Sequence, residues 1–247
     1  MSRAQSDFPR VMPAGVTGLL VSFDSTLSEP GNRAALAFRA AVVAEAWDGV
    51  EEVSSSLVSV LLRFDPLHIS HAELSSRLTR LLATRRWYEA ALPAGRRFWR
   101  VPTVFGTKAA PQLEEAAAAA GLSVAEAIAS LSQARVRVET IGFAPGQPYL
   151  GELPEAWDIP RQSQLTDRVP EGALVVAIRQ LVLFSVSTPT GWRHVGQTAI
   201  KLFQPEAADP FVLRAGDEVQ FFQTTPEALQ NMRRDPLGGA TSERIRP

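Results

Sequence analysis

From Val136 onward the apolar residues of this chain come in short, strand-length runs, and that pattern restricts the fold more than any other feature of the sequence. The runs are VRVETIGF, ALVVAI, LVLFSVST, GWRHVGQTAIKLF and DEVQFFQ, with Gly, Pro or Asp turn residues between them. Short strands at such close spacing predict a small β-barrel over residues 136–224. The longest apolar stretch, GALVVAIRQLVLFSVS, carries Arg179 and Gln180 in its middle and is rich in β-branched residues. It reads as two paired strands and not as a membrane span. Gly216 and Asp217 are turn residues that aim the last strand back into the sheet. The tail, 225–247, has no apolar periodicity and is expected to be flexible.

Before Val136 the pattern alternates. TGLLVSFD is strand-like, EPGNRAALAFRAAVVAEAW has helical spacing and good helix formers, and LVSVLLRFD is again strand-like. In DPLHISHAELSSRLTRLLA, Ser70 precedes an apolar-periodic run and announces a second helix, and RFWRVPTVFG follows as a closing strand. This β-α-β-α-β order predicts an α/β sandwich over residues 1–97 with its helices on one face of a sheet. The fold class is therefore α+β, a sandwich followed by a barrel. Residues 98–135 are expected to form a helical connector, in which Gly121 ends one short helix and Ser123 with Glu126 caps the next.

Those two short helices could pass for a DNA-binding helix-turn-helix. The second, VAEAIASLSQA, offers no Arg or Lys to phosphates. The whole chain carries 25 basic and 26 acidic residues, so no global field gathers nucleic acid or anionic lipid. Neither nucleic acid nor a membrane is an expected partner. The absence of cysteine removes disulfides, thiol nucleophiles and thiolate metal sites, and fits a reducing cytoplasm. The first residues, MSRAQSDFPRVMPAGVTGLLVSF, have a Pro-interrupted apolar stretch too short for a signal h-region, so no secretory leader is expected there.

GFAPGQPYLGELPEAWDIPR, Gly142 to Arg161, has the Gly and Pro content of a linker but keeps Phe143, Tyr149 and Trp157. Ala144 and Gln147 precede prolines and are pushed toward extended backbone, whereas Gly146 and Gly151 permit conformations other residues resist. A stiff, shaped surface pinned to a core is one reading. A plain structural crossing between domains is the other.

Taken in order, PAG at Pro13, GFAPGQPYLGEL, Pro160-Arg161, VPEG at Val169, TPTGWRHVGQT and the LFQP…LRAGDEVQF block resemble the family of the 5-oxoprolinase B subunit, also called allophanate hydrolase subunit 1 or KipI. The resemblance implies a cyclophilin-like C-terminal barrel. It also implies membership of an ATP-dependent hydrolase complex that opens 5-oxoproline to glutamate. The implied partners are a carboxyltransferase-like second subunit, of the C type in 5-oxoprolinase, and a deaminase-like one of the A type. The alternatives it leaves open are a KipI-like inhibitor of a histidine kinase and an allophanate or urea-pathway subunit. ATP is the implied cofactor, although no P-loop pattern places it on this chain.

Pocket candidates from the matched blocks are Phe143, Pro145, Gly146, Tyr149, Arg161, Gln180, Trp192, His194, Gln197 and Thr198. The turns Phe143–Gly146 and Gly191–Gly196 could offer backbone N–H donors to an anion. No catalytic residue is assigned. Relative to the family pattern, Lys108 stands for a carboxylate, Gln112 for Asp, Leu131 for His and Gln197 for Arg, which points to altered chemistry. His68 and His71 lack an evident third ligand, so no metal site is expected. Asp158 and Asp167 read as salt-bridge partners of Arg161 or Arg168, and Trp157 and Phe184 as core.

Overall fold

The computed structural model describes residues 7–245. The first six residues of the stretch read for a leader, and the last two of the expected tail, lie outside them. Contacts divide the chain into two units, Met1–Ala94 and Gly95–Pro247.

The first unit contains β1 (Arg10–Pro13), β2 (Gly18–Ser22), α1 (Glu29–Glu45), β3 (Val50–Ser56), β4 (Ser59–Phe64) and α2 (His71–Leu82). Its antiparallel sheet runs in the order β1-β2-β4-β3. Alternation along β2 and β4 sends Leu19, Val21, Val60, Leu62 and Phe64 to one face, where Phe38 of α1 and Leu74 and Leu78 of α2 bury them. Both helices start at serine caps: Ser28 accepts from the Gly31 amide, and Ser70 from that of Glu73. The observed order departs from the expected one. β1 and β3 complete the sheet, because a short strand holding a proline and a polar VEEVSSS edge carry no clear apolar period.

RFWRVPTVFG is a strand, but not of this sheet. As β5 (Arg97–Phe105) it belongs to the second unit, with α3 (Leu113–Ala119), α4 (Val124–Gln133), β6 (Arg135–Ile141), β7 (Pro148–Gly151), β8 (Thr166–Val169), β9 (Ala173–Ala177), β10 (Gln180–Leu183), β11 (Thr188–Thr190), β12 (Arg193–Gln197), β13 (Glu218–Gln223), α5 (Pro226–Met232) and β14 (Thr241–Arg244). The barrel closes in the order β12-β9-β10-β7-β6-β13-β5 and back to β12. β5 lies parallel to β13 on one edge. On its other edge it pairs with β14 near its start and β12 near its end. The supposed connector 98–135 therefore begins with a barrel strand, and the barrel extends well before Val136.

Its two helices are as the capping signals predict. Gly121 has φ of 69°, its amide and that of Leu122 reach back to Ala118 and Ala117, and Ser123 and Glu126 form a reciprocal capping box. Over residues 225–245 the expected flexible tail is instead folded. Thr225 caps α5, Asp235 accepts from the Leu237 and Gly239 amides, and β14 pairs with β5 through backbone alone. The tail's apolar anchors are Leu229, Leu237 and Ala240, too irregularly spaced to make a hydrophobic period, and caps and backbone pairing leave none, so the order here escapes a reading of apolar spacing.

The long apolar stretch folds as the expected hairpin, with Ile178 and Arg179 in the left-handed region at its turn. β9 is buried along its whole length because both its faces are covered. Leu174 and Val176 join the barrel core, while Ala173, Val175 and Ala177 join an outer cluster with Val182, Phe184 and Trp192. That outer cluster backs the candidate site. Trp157 is fully buried in the barrel core, with its indole N–H donated to Ser130 of α4. The Gly142–Arg161 segment thus lies within the second unit, contributes strand β7 and is no hinge between the units.

Candidate functional site

Strand alternation aims Leu150 of β7 and Leu181 and Leu183 of β10 into the barrel, leaving the cross-strand pair Tyr149 and Val182 outside. With Phe184 they form one wall of a cleft of about 350 Å³. Arg161, Gln162 and Leu165 and the turn 189–192 face that wall, and Phe143 and Gln147 complete the lining.

Local chemistry fixes these walls. Ala144 to Gln147 is a turn closed by the Gln147 amide on Ala144 O, with Pro145 second and Gly146 third at φ 73°. A Cβ on Gly146 would lie 2.7 Å from Leu202 O, so both its conformation and its surroundings demand glycine. The Gly142 amide donates to Gln147 O and closes the loop. On the far side, Gln162 donates to Trp192 O at 3.0 Å and accepts from Gln112 at 2.7 Å, while the Gln162 amide donates to Gly191 O. Arg193 adds a bond to Pro160 O and an ion pair to Glu115. Gln112 also accepts from the His194 amide, so this position, where the family pattern has Asp, ties the start of α3 to Gln162 of the far wall and to β12.

Arg161 is exposed and stacks its guanidinium over the Trp192 ring, 5.2 Å from the centroid. Among the described residues no carboxylate pairs with it, so neither Asp158 nor Asp167 serves it as a salt-bridge partner. The Tyr149 ring meets Trp192 edge-on at 6.4 Å. Within the second proposed turn, the Trp192 amide donates to Thr190 Oγ1 and the His194 amide to Gln112, so those donors are spent; the bonded amides of Gly142 and Gln147 flank the first turn, Phe143–Gly146.

Of the pocket candidates, Phe143, Tyr149, Arg161 and Trp192 line the cleft. Pro145 and Gly146 shape its border without lining it. Gln197 and Thr198 are buried and hold the turn at Gly172: Gln197 donates to Glu171 O, and Thr198 Oγ1 to Gly172 O. His194 is buried, and burial pushes its imidazole below the ordinary value. Gln180 donates at 2.9 Å to Glu139, which sits at a bulge in β6. Glu139 is 2% exposed, and burial pushes its carboxyl up to about 7 against the opposing effects of Gln180 and Arg137. Glu139 had no sequence signal beyond a carboxylate inside a strand run.

The other singled-out positions lie elsewhere. Lys108 is exposed, and Leu131 is a core residue of α4. Phe184 packs in the outer cluster and also lines the cleft, so it is more than core. His68 pairs with Asp65, His71 meets Phe64 edge-on, and among the described residues no cluster of three metal-ligating side chains occurs. Gln147, Gln162 and Thr190 line the cleft and were not picked out from the sequence. Their place within or beside the matched blocks was the one available signal.

Sequence comparison finds the 5-oxoprolinase B subunit of Escherichia coli O157:H7, 37% identical over 139 residues, which are 56% of this chain and 64% of the relative. The 5-oxoprolinase B subunit of Bacillus subtilis (strain 168) is 37% identical over 126 residues, 51% of this chain and 52% of the relative. The chain thus spans about half to two thirds of the length of these relatives. Among solved structures, TTHA0988 superposes with a TM-score of 0.72 at 30% identity, covering 85% of this chain and 40% of that one. The urea amidolyase of K. lactis gives 0.70 at 18% identity over 95% of this chain and 16% of that one, a likeness of fold. The family model "Carboxyltransferase domain, subdomain C and D" matches residues 9–213. This chain belongs to the carboxyltransferase-domain family, subdomains C and D.

Proposed function

We propose that the chain is one component of an amide-hydrolysing complex of the 5-oxoprolinase type, opening 5-oxoproline to glutamate beside a carboxyltransferase-like partner. The observation that carries this reading is the convergence of two matched blocks, Gly142–Leu150 and Gly191–Thr198, on one cleft. The names of the 33–37% identical relatives support the reaction class.

Within the complex, the cleft holds a small carboxylate. Arg161, stacked on Trp192 and without a carboxylate of its own, presents a guanidinium fork to the ligand's carboxylate. Tyr149, Trp192 and Phe184 supply apolar surface against which the rest of the ligand packs. Among the described residues no carboxylate or imidazole lines the cleft, so the proton transfers of amide hydrolysis fall to a partner. ATP, which drives such a reaction by activating the amide carbonyl, does not fit this cleft. A triphosphate needs several cationic or amide donors, whereas Arg161 is the one lining cation among the described residues and the Trp192 amide is spent. The reading leaves ATP to a partner.

Recovery of a carboxyltransferase-like protein on the tagged full chain, and ATP-dependent glutamate formation only when both are present, is the expected result. Recovery of a histidine kinase whose autophosphorylation falls on binding would overturn the reading in favour of a KipI-like regulator. Turnover of allophanate but not of 5-oxoproline would move it to the urea pathway.

A further inference from the structure

Gln147 lines the cleft and is 1% exposed, yet neither its Nε2 nor its Oε1 has a hydrogen-bond partner among the described residues. The neighbouring amides differ: Gln112 and Gln162 are bonded through both ends of their side chains. A buried donor or acceptor left unpaired is destabilising, and here there are two on one side chain. An apolar residue of similar length would avoid that cost. The backbone offers Gln147 no freedom to relieve it, since its N–H and C=O are bonded to Ala144 O and the Gly142 amide, and Pro148 follows at the start of β7.

We infer that Gln147 is the specificity-determining residue of the cleft and pairs its carboxamide with a cis-amide edge of the ligand, as in a lactam or a ureido group. The inference rests on the cleft being the ligand site of the proposed function. A primary carboxamide presents a C=O and an N–H side by side. The group that satisfies both at once is one with N–H and C=O on the same side, which a lactam ring enforces and an open trans amide does not present. A carboxylate lacks the donor, and an amine or ammonium lacks the acceptor. Arg161, on another wall of the same cleft, supplies the contact for a carboxylate elsewhere on the ligand. The cleft therefore selects a small molecule that carries a cis-amide edge and a separate carboxylate.

The test uses the full chain, wild type and Gln147→Met, with calorimetric titration and thermal denaturation. The probes are 5-oxoproline, N-carbamoylglycine as a ureido acid, and proline, which has the ring and carboxylate but no amide edge. Wild type is expected to bind one of the two amide-bearing acids at least tenfold more tightly than proline, and which of them binds better identifies lactam or ureido as the source. Gln147→Met should lose tenfold or more in that affinity while its ligand-free melting temperature stays equal or rises, because an unpaired buried amide has been removed. Equal affinity in the variant, equal binding of proline, or a lowered melting temperature without ligand would each overturn the inference. Wild type that binds none of the probes yet supports glutamate formation in the complex overturns it too, and leaves the proposed function standing. Selective binding of 5-oxoproline by a chain that recruits no partner and supports no turnover sustains the inference while the proposed function fails.

Discussion

The Arg161 guanidinium stacks over Trp192, 5.2 Å from the ring centroid, and no described carboxylate competes for it. The stacking keeps the cation oriented at the cleft without neutralising it. Arg161→Ala should weaken binding of a carboxylate ligand roughly tenfold or more, the usual scale for a charge-assisted contact. Arg161→Lys should recover only part of that, since an ammonium keeps the charge but loses the planar fork and the stacking. Titration of both variants with 5-oxoproline checks the order.

Glu139 predicts a pH dependence of stability. The unfolded chain releases this proton near the ordinary 4.5, whereas burial holds it in the fold up to about 7. Between those values folding takes up a proton, so stability falls as pH rises through the window and levels off above it. The drop from this residue is on the order of 3 kcal/mol. Glu139→Gln removes the titration and should flatten the profile of melting temperature between pH 5 and 8; an unchanged slope would refute the assignment.

Asp217 holds the barrel seam together. It is 2% exposed and accepts from the Arg97 amide, the Arg97 guanidinium, the Trp99 indole and the Arg214 amide. Asp217→Ala takes one acceptor from the half-buried Arg97 guanidinium, which keeps Val212 O, and leaves the Arg97 amide, the Trp99 indole and the Arg214 amide without theirs, a loss of about 3 kcal/mol. Chemical denaturation should show the midpoint falling by that equivalent.

Gly146→Ala tests the shape of the cleft border. The substitution meets a left-handed φ of 73° and brings Cβ to 2.7 Å of Leu202 O. A destabilisation of about 1–3 kcal/mol is expected, with weaker ligand binding because Phe143 and Gln147 flank the displaced turn. Binding at wild-type strength would show that this turn does not position the lining.

These particulars separate what the sequence discloses from what it hides. Ser70, Gly121 and the Ser123–Glu126 pair announced their helix ends because capping is a local interaction. The hairpin around Arg179 was legible for the same reason. β5 was legible as a strand but not as a barrel member, since its parallel partner β13 lies far along the chain and only the folded sheet unites them. β14 reads as TSER, exposed throughout, and its order comes from backbone pairing that leaves no hydrophobic trace. In the site, Phe143, Tyr149, Arg161 and Trp192 stood out as aromatic and cationic residues in matched blocks. Gln147 was read only for its backbone before Pro148, because an amide side chain that is buried and unpaired is recognised only once its surroundings exist.

The most direct measurement is ATP-dependent conversion of 5-oxoproline to glutamate in the reconstituted complex, run without this chain, with it, and with Arg161→Ala. The expected result is no turnover without the chain, turnover with it, and a KM for 5-oxoproline raised about tenfold in the variant. Full turnover in its absence, or a variant indistinguishable from wild type, would contradict the proposed role.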